Sequence, residues 1–363
     1  MNTSTPSFAQ SVWLVTEREV GSKLRSKPFL ISTGILFALA LVAVLWGGFS
    51  AQSDSRIPLA VTPDTASVVA GLDQAVDVTD AADADAAREL VRSGEVDAAL
   101  VPGGSGAFEY TIVGDTSVPS GLMPLLSSSP PVELLTTDTT DPFLRYIVAL
   151  GFGLIFFMAA LTFGSTISQS VVEEKQTRVV ELLISAIPTR ALLAGKVIGN
   201  TLLAMGQIVG LAAIAIVGLT VTGQSALLTG LGAPLVWFAV FFLFGFVLLA
   251  SLFAAAGAMV SRQEDIGSTT TPLSFLVMAP YLLVVFFNDN QLVLTIMSYV
   301  PFSAPVGMPV RIFLGEAQWW EPILALVILL ATCMAAIWVG AKIYENSILR
   351  MGARVKLSEA LSG

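Results

Sequence analysis

The run VIGNTLLAMGQIVGLAAIAIVGLTVTGQSALLTGLGAPLVWFAVFFLFGFVLLASLFAAAGAMVS, residues 197–261, holds 65 residues without one Asp, Glu, Lys or Arg. A bilayer core about 30 Å thick is crossed by roughly 20 apolar residues in a helix, so this run accommodates two crossings. The glycines and Pro234 of TGQSALLTGLGAP (222–234) predict a turn between them. Working outward, residues 28–53, 146–172, 266–288, 290–310 and 322–341 are also free of charge. Spans are therefore predicted near 29–49, 143–168, 197–221, 235–259, 268–287 and 322–342. The 290–310 run differs, because Pro301, Pro305 and Pro309 recur every four residues. Each proline removes a backbone donor and clashes one turn back, which breaks a straight helix. A broken helix facing lipid would leave backbone polar groups unsatisfied. The segment near 290–313 is thus expected to be re-entrant or interfacial and buried in protein, with a seventh span as the alternative.

Composition agrees with a membrane protein. Hydrophobic residues make up 55% of the chain, charged residues 12%, and mean hydropathy is +0.80. A soluble globule cannot hide that much apolar surface, which excludes a soluble enzyme. The chain has no histidine and one cysteine, Cys333. Histidine bases, histidine metal ligands, intrachain disulfides and cysteine zinc sites are excluded with them.

Basic residues set the orientation. With the N-terminus inside and six spans, 13 of the 18 Lys and Arg residues fall on inner segments, with 9 acidic residues. The outer segments carry 5 basic and 18 acidic residues, so reversing the chain would put most cations outside. Both termini are expected to be cytoplasmic in the plasma membrane, with residues 1–28 an interface segment and 343–363 a tail. The first span has an apolar core longer than that of a signal peptide, and it lacks a small-x-small cleavage site after it.

Residues 50–142 form a polar block expected outside. Its 51–141 core holds 15 acidic and 3 basic residues. IPLAVTP (57–63), VDAALVP (96–102) and FEYTIVG (108–114) read as strands, and ADADAARELVRSGE (82–95) as an amphipathic helix. The order β-α-β-α-β-β predicts a small α/β domain inserted between the first and second spans of an α-helical membrane protein. Its acidity reads as a solvated outer surface, or alternatively as a cation-attracting vestibule.

No Gly-x-x-x-x-Gly-Lys-Ser/Thr loop is present; the nearest approach is LLAGKVIG (192–199). The stretch VVEEKQTRVVELLISAIPTRALLAGKVIG (171–199) follows the second span. On one continuous helix Val172, Val179 and Leu183 share a line, while Glu174, Arg178 and Glu181 lie opposite and form i,i+4 and i,i+3 pairs. Pro188 ends that helix. The stretch reads either as an interfacial helix with a solvated face or as a helix presenting charge to a soluble partner.

Polar residues within the spans are few. Asn200, Gln207, Thr269, Thr270, Thr271 and Ser274 are the main ones, and they read as interhelical hydrogen bonding or as a translocation path. Gly195, Gly199, Gly206 and Gly210 form two Gly-x-x-x-Gly pairs, for close packing within one subunit or for dimerisation. No charge lies deep in any predicted span, which argues against a secondary transporter or channel.

Glu173–Glu174–Lys175, Glu181–Leu182–Leu183, Pro188 and Gly195–Lys196–Val197 together resemble the cytoplasmic signature of ABC-2 type permeases. The sodium-extrusion (Nat-type) group is the subfamily most resembled. TEREVGSKLRSKPFLIST (16–33) resembles its N-terminal interface helix, YVPFSAPVGMPVRIFLGE (299–316) its outer re-entrant segment, and AKIYENSILRMGARVK (341–356) its exit helix. The large insert with LVRSGEVDAALVP (90–102) is similar too. One departure is Arg178, where the family often has Gly.

The resemblance implies a permease subunit that exports a small ion or molecule, energised by a separate ATPase subunit and paired with a second permease, as a homo- or heterodimer. It implies a coupling helix within 171–190, with Glu173, Glu174, Lys175, Arg178, Glu181, Leu183 and Pro188 at the ATPase contact and Val179 beside Leu183 as the anchor. Asn200, Gln207, Thr270 and Ser274 are the candidates for the path. No catalytic residue, metal or cofactor is expected on this chain, since ATP and Mg belong to the partner; the lipid membrane is a partner and nucleic acid is not. The alternative of the same class is a mechanotransmitter or sensor that transports nothing.

Overall fold

The computed structural model describes residues 7–52, 56–72, 75–103, 109–115, 118–119, 122–126, 142–177, 179–350 and 355–362. Two compact units divide the chain, one built from residues up to 46 and from 139 onward, the other from residues 47–138.

Helix α1 (Phe8–Leu24) begins at a capping box, in which Ser7 Oγ accepts from the Gln10 amide and the Gln10 side chain accepts from the Ser7 amide. It stops at Arg25, and α2 (Lys27–Gln52) begins with Pro28 in its first turn, where a missing N–H is harmless.

In the 47–138 unit, β1 (Ile57–Val61), β2 (Val76–Asp80), α3 (Ala84–Ser93), β3 (Ala98–Pro102), β4 (Tyr110–Val113) and α4 (Leu122–Leu126) follow in order. The sheet order is β2-β1-β3-β4, with β1 parallel to β2 and β3, and β4 antiparallel to β3. Alternation divides the core by face. Leu59, Val61 and Leu100 pack under Leu122 on one side, while Ala60, Ala99 and Val101 meet Ala87 and Val91 of α3 on the other. Asp83 caps α3, and Gly94, at φ 77°, ends it in the left-handed conformation. The three strands and the helix quoted from the sequence are present, while the first helix of the expected order is a short 3-10 helix, Ala66–Val69.

The helical unit continues with α5 (Pro142–Gln176), α6 (Val179–Ala186), α7 (Thr189–Val221), α8 (Ser225–Ala258), α9 (Ile266–Phe286), α10 (Gln291–Tyr299), α11 (Ala304–Phe313), α12 (Glu321–Ser347) and α13 (Leu357–Ser362). Among the described residues, α2, α5, α7, α8, α9 with the turn before it, and α12 are long and apolar enough to cross a membrane. These coincide with the six predicted spans.

One local expectation changes. The turn predicted over 222–234 is confined to Thr222–Gln224, with Gly223 at φ 67°, and α8 takes Pro234 into its interior. The Ala- and Leu-rich segment around it favours helix, and neighbouring helices make one interior proline tolerable in a membrane span. The 290–310 segment, expected to be re-entrant or interfacial, folds as two short helices. Pro301 lies in the turn between them, Pro305 in the first turn of α11, and Pro309 within it. At about 1.5 Å per residue, neither helix covers more than about half of a bilayer core.

Phenylalanines zip α5 to α8. Phe152 meets Phe238 at 4.8 Å between centroids, Phe156 meets Phe242 at 5.8 Å, and Phe163 meets Phe246 at 5.9 Å. At the end of this contact a Cβ on Gly257 would stand 2.8 Å from the Ser168 carbonyl oxygen and 2.9 Å from its Cα. Gly257→Val is therefore expected to part the two backbones and destabilise the bundle by about 1–3 kcal/mol, read as a lower melting temperature of the detergent-solubilised protein.

Candidate functional site

The end of α5 carries three ionisable residues in a row, and successive side chains on a helix point about 100° apart. Glu173 is exposed, Glu174 turns toward α1 and α7, and Lys175 turns into the bundle, where it is fully buried. Lys175 Nζ donates to the carbonyls of Ala258 at 2.8 Å and Ser347 at 2.9 Å. These are the last residues of α8 and α12, so one ammonium satisfies carbonyls that have no partner within either helix.

Glu174 joins a second cluster. Lys196 Nζ of α7 lies 3.1 Å from Glu174 Oε1 and 2.9 Å from Glu19 Oε1, and donates to Ser170 Oγ at 2.6 Å. Arg18 of α1 reaches both Glu174 and Glu19. Lys196 and Glu19 are buried and Arg18 closes the cluster toward solvent. Burial pushes the Glu19 carboxyl up, but Lys196 and Arg18 outweigh it, and the group sits below the ordinary carboxylate range. For Arg18, burial is likewise outweighed by Glu174 and Glu19, which raise it.

Small residues let α1 lie this close. A Cβ on Gly195 would be 2.4 Å from Val15 Cβ, and one on Gly199 would be 2.9 Å from Glu19 Cβ. Thr16 Oγ1 also donates to the Gly195 carbonyl at 3.3 Å. Gly195 and Gly199 thus serve packing within the subunit, as Gly210 does against Phe37.

Beyond Thr177, α6 exposes Glu181 and Leu182, the latter at 74%. Val180 is buried and Leu183 is half-buried against the core. Pro188 is exposed and stands at the N-cap of α7. Arg178 and the Val179 side chain lie outside the described residues. The single amphipathic helix expected over this stretch is corrected to two. Because α5 ends at Gln176, the spacing from Glu174 to Arg178 and Glu181 does not describe one exposed face. Glu174 instead faces the buried ammonium of Lys196. Restarting the helix at 179 also shifts its phase, so that Val180 is an anchor and Leu182 the exposed tip, neither of which periodicity over a continuous helix singles out.

The four path candidates are not gathered into one site. Asn200 Nδ2 donates to the Lys196 carbonyl, Thr270 Oγ1 to Ile266, and Ser274 Oγ to Thr270, each within its own helix. Gln207 is half-buried on α7. Among the described residues no His, Cys, Asp and Glu cluster suits a metal.

A polar cluster that sequence reasoning missed lies at the other end of α5 and α12. Arg311 of α11 donates to Glu321 Oε1 and Oε2 at 3.1 and 3.0 Å and to Ser298 Oγ at 2.9 Å. Tyr299 donates to the same carboxylate at 2.9 Å, and Arg145 donates to the Asn288 carbonyl at 3.3 Å. Burial, then Glu321, push the Tyr299 phenol up. The signal available in sequence was that Arg311 and Glu321 both stand between the proline-rich segment and the last span.

A family model described as ABC-2 family transporter protein matches residues 27–342. The chain belongs to the ABC-2 transporter family. This ABC-2 permease is 28% identical over 210 residues to the uncharacterized protein YhaP of Bacillus subtilis, covering 54% of this chain and 50% of that protein. It is 23% identical over 211 residues to the uncharacterized protein MJ1024 of Methanocaldococcus jannaschii, covering 58% and 51%. The chain spans about half the length of these curated relatives. No solved structure matches it.

The buried charges of this permease make two predictions. Lys196→Met removes the buried one of the two cations that Glu19 and Glu174 share, leaving Arg18 at the solvent edge, and is expected to destabilise the protein by about 3–5 kcal/mol, with partial recovery on adding Glu19→Gln. Glu19 is depressed below its ordinary value of 4.5, so its contribution is complete above that value and is lost as pH falls through the depressed one. The melting-temperature gap between wild type and Glu19→Gln should therefore hold at neutral pH and narrow in acid.

Proposed function

We propose that this chain is the membrane subunit of an ABC-2 type exporter, driven by an ATPase on a separate chain that docks on α6. The observation that carries the reading is α6 itself. It is an eight-residue helix slung between two long ones, offering Glu181 and Leu182 outward and fixed to the bundle by Val180 and Leu183. The residue pair just before it, Glu174 and Lys175, joins α5 to α1 and α7 on one side and to α8 and α12 on the other. A push on α6 thereby reaches most of the helical unit, which is what a coupling helix must achieve. In this reading α1, α6 and both termini are cytoplasmic, and the α/β unit and the α10–α11 pair are outside. ATP and Mg²⁺ act on the ATPase, and two permease subunits form one pathway.

The likeness to the Nat-type group favours a small ion or small molecule as cargo. The α/β unit, compact in its own right, favours a second reading in which ATPase strokes move that unit and nothing is transported.

The test is co-purification of an ATPase, identified by its nucleotide-binding loop in mass spectrometry, with the tagged chain. Glu181→Lys with Leu182→Asp should lower its recovery about tenfold or more, while membrane insertion and melting temperature stay unchanged. Equal recovery would remove α6 from the interface. Vesicles carrying both subunits then separate the two readings, since only an exporter moves solute on ATP addition.

A further inference from the structure

We propose that the cleft between the first turn of α7 and the last turns of α12 is a binding site for one acidic phospholipid of the adjoining leaflet. The cleft encloses about 580 Å³. Its α12 wall is a single stripe, because Met334, Ile337, Trp338, Lys342 and Glu345 recur at helical spacings of three, four, eight and eleven. The stripe is graded along the helix. Met334, Ile337 and Trp338 are apolar and exposed, Trp338 at 69%, and the last turns turn polar at Lys342 and Glu345. From Met334 to Glu345 it runs about 16 Å, from bilayer depth to the end of a span. That is the polarity profile of a phospholipid standing upright, with an acyl chain below and a headgroup above. Trp338 sits between the two zones, and its indole N–H has no partner among the described residues, so it is free for a glycerol-ester carbonyl.

Charge selects the headgroup. Arg190 lies across the cleft in the first turn of α7, and its Nε and Nη2 donate to the two oxygens of Glu345 at 2.7 and 3.2 Å. This bidentate pair spends the carboxylate and fixes the plane of the guanidinium. Arg190 Nη1 and the Lys342 ammonium are left without an acidic partner among the described residues. Two cations against one carboxylate leave one positive charge, which matches a phosphodiester with a neutral headgroup alcohol. A choline headgroup would bring a second cation beside Lys342 and find Glu345, the one carboxylate among the described lining residues, already bound. The inference depends on the membrane-spanning character of α12 and is independent of the ATPase reading.

The experiment uses the full chain in phosphatidylcholine vesicles in which about one lipid in ten is brominated near the top of an acyl chain, as phosphatidylglycerol or as phosphatidylcholine. Emission from Trp338 is isolated as the difference between wild type and Trp338→Phe. Brominated phosphatidylglycerol should quench this difference about fivefold more effectively than the same fraction of brominated phosphatidylcholine, and Lys342→Glu should remove the excess. Equal quenching by the two lipids, or an excess that survives Lys342→Glu, overturns the proposal. Failure of both lipids to quench overturns it as well, since the face is then covered by protein, a second copy of the chain or the ATPase. Both substitutions are at exposed positions, so loss of folding does not confuse the result.

Discussion

Neighbouring residues on a helix cannot face the same way, and this protein puts opposite charges on two such neighbours, Glu174 and Lys175. Each needs a partner in a region of low polarity, because an isolated charge there is far costlier than a paired one. Lys175 finds the carbonyl ends of α8 and α12, and Glu174 finds the cations of α1 and α7. The last turn of α5 is therefore wedged between two groups of helices and satisfied only when both are in place. Both α8 and α12 end where their final carbonyls meet that one ammonium.

Such an arrangement specifies geometry more than it adds stability. Replacing a buried ion pair by well-packed apolar residues is often neutral or favourable, whereas leaving one member alone is strongly unfavourable. In a membrane the argument sharpens, because lipid is as apolar as Leu and apolar contact alone does little to fix which faces of two helices meet. The middle of the bundle relies on the phenylalanine zipper between α5 and α8, and both ends rely on charge. The Arg311–Glu321 cluster holds α11 to the start of α12 as Lys175 holds α5 to its end.

The spans were legible because charge-free runs of sufficient length, the proline-broken 290–310 run excepted, read as crossings, and the α/β unit because its alternation and caps are local signals. What escaped was set by contacts distant in sequence. Glu174 looks like a member of an exposed i,i+4 pair until Lys196 and Arg18 are brought beside it. Pro234 looks like the edge of a turn until α8 is seen to carry it inside. The Gly-x-x-x-Gly pairs admit two readings in sequence, and only the position of Val15 and Glu19 decides for packing by α1 at Gly195 and Gly199. Arg311 and Glu321 are ten residues apart and reveal themselves only once the chain has turned between α11 and α12.

The break at Thr177 explains why α6 is short. A helix of eight residues is unstable by itself, so its conformation depends on what it packs against. Val180 and Leu183 supply one side of that packing, and Leu182 stays in the open at the tip. With the break, the charged turn is clasped by four helices, while the short helix after it is anchored by Val180 and Leu183 and presents Leu182 outward. In the docking proposed above, covering Leu182 would contribute about 1.5–3 kcal/mol, the worth of a leucine side chain removed from water.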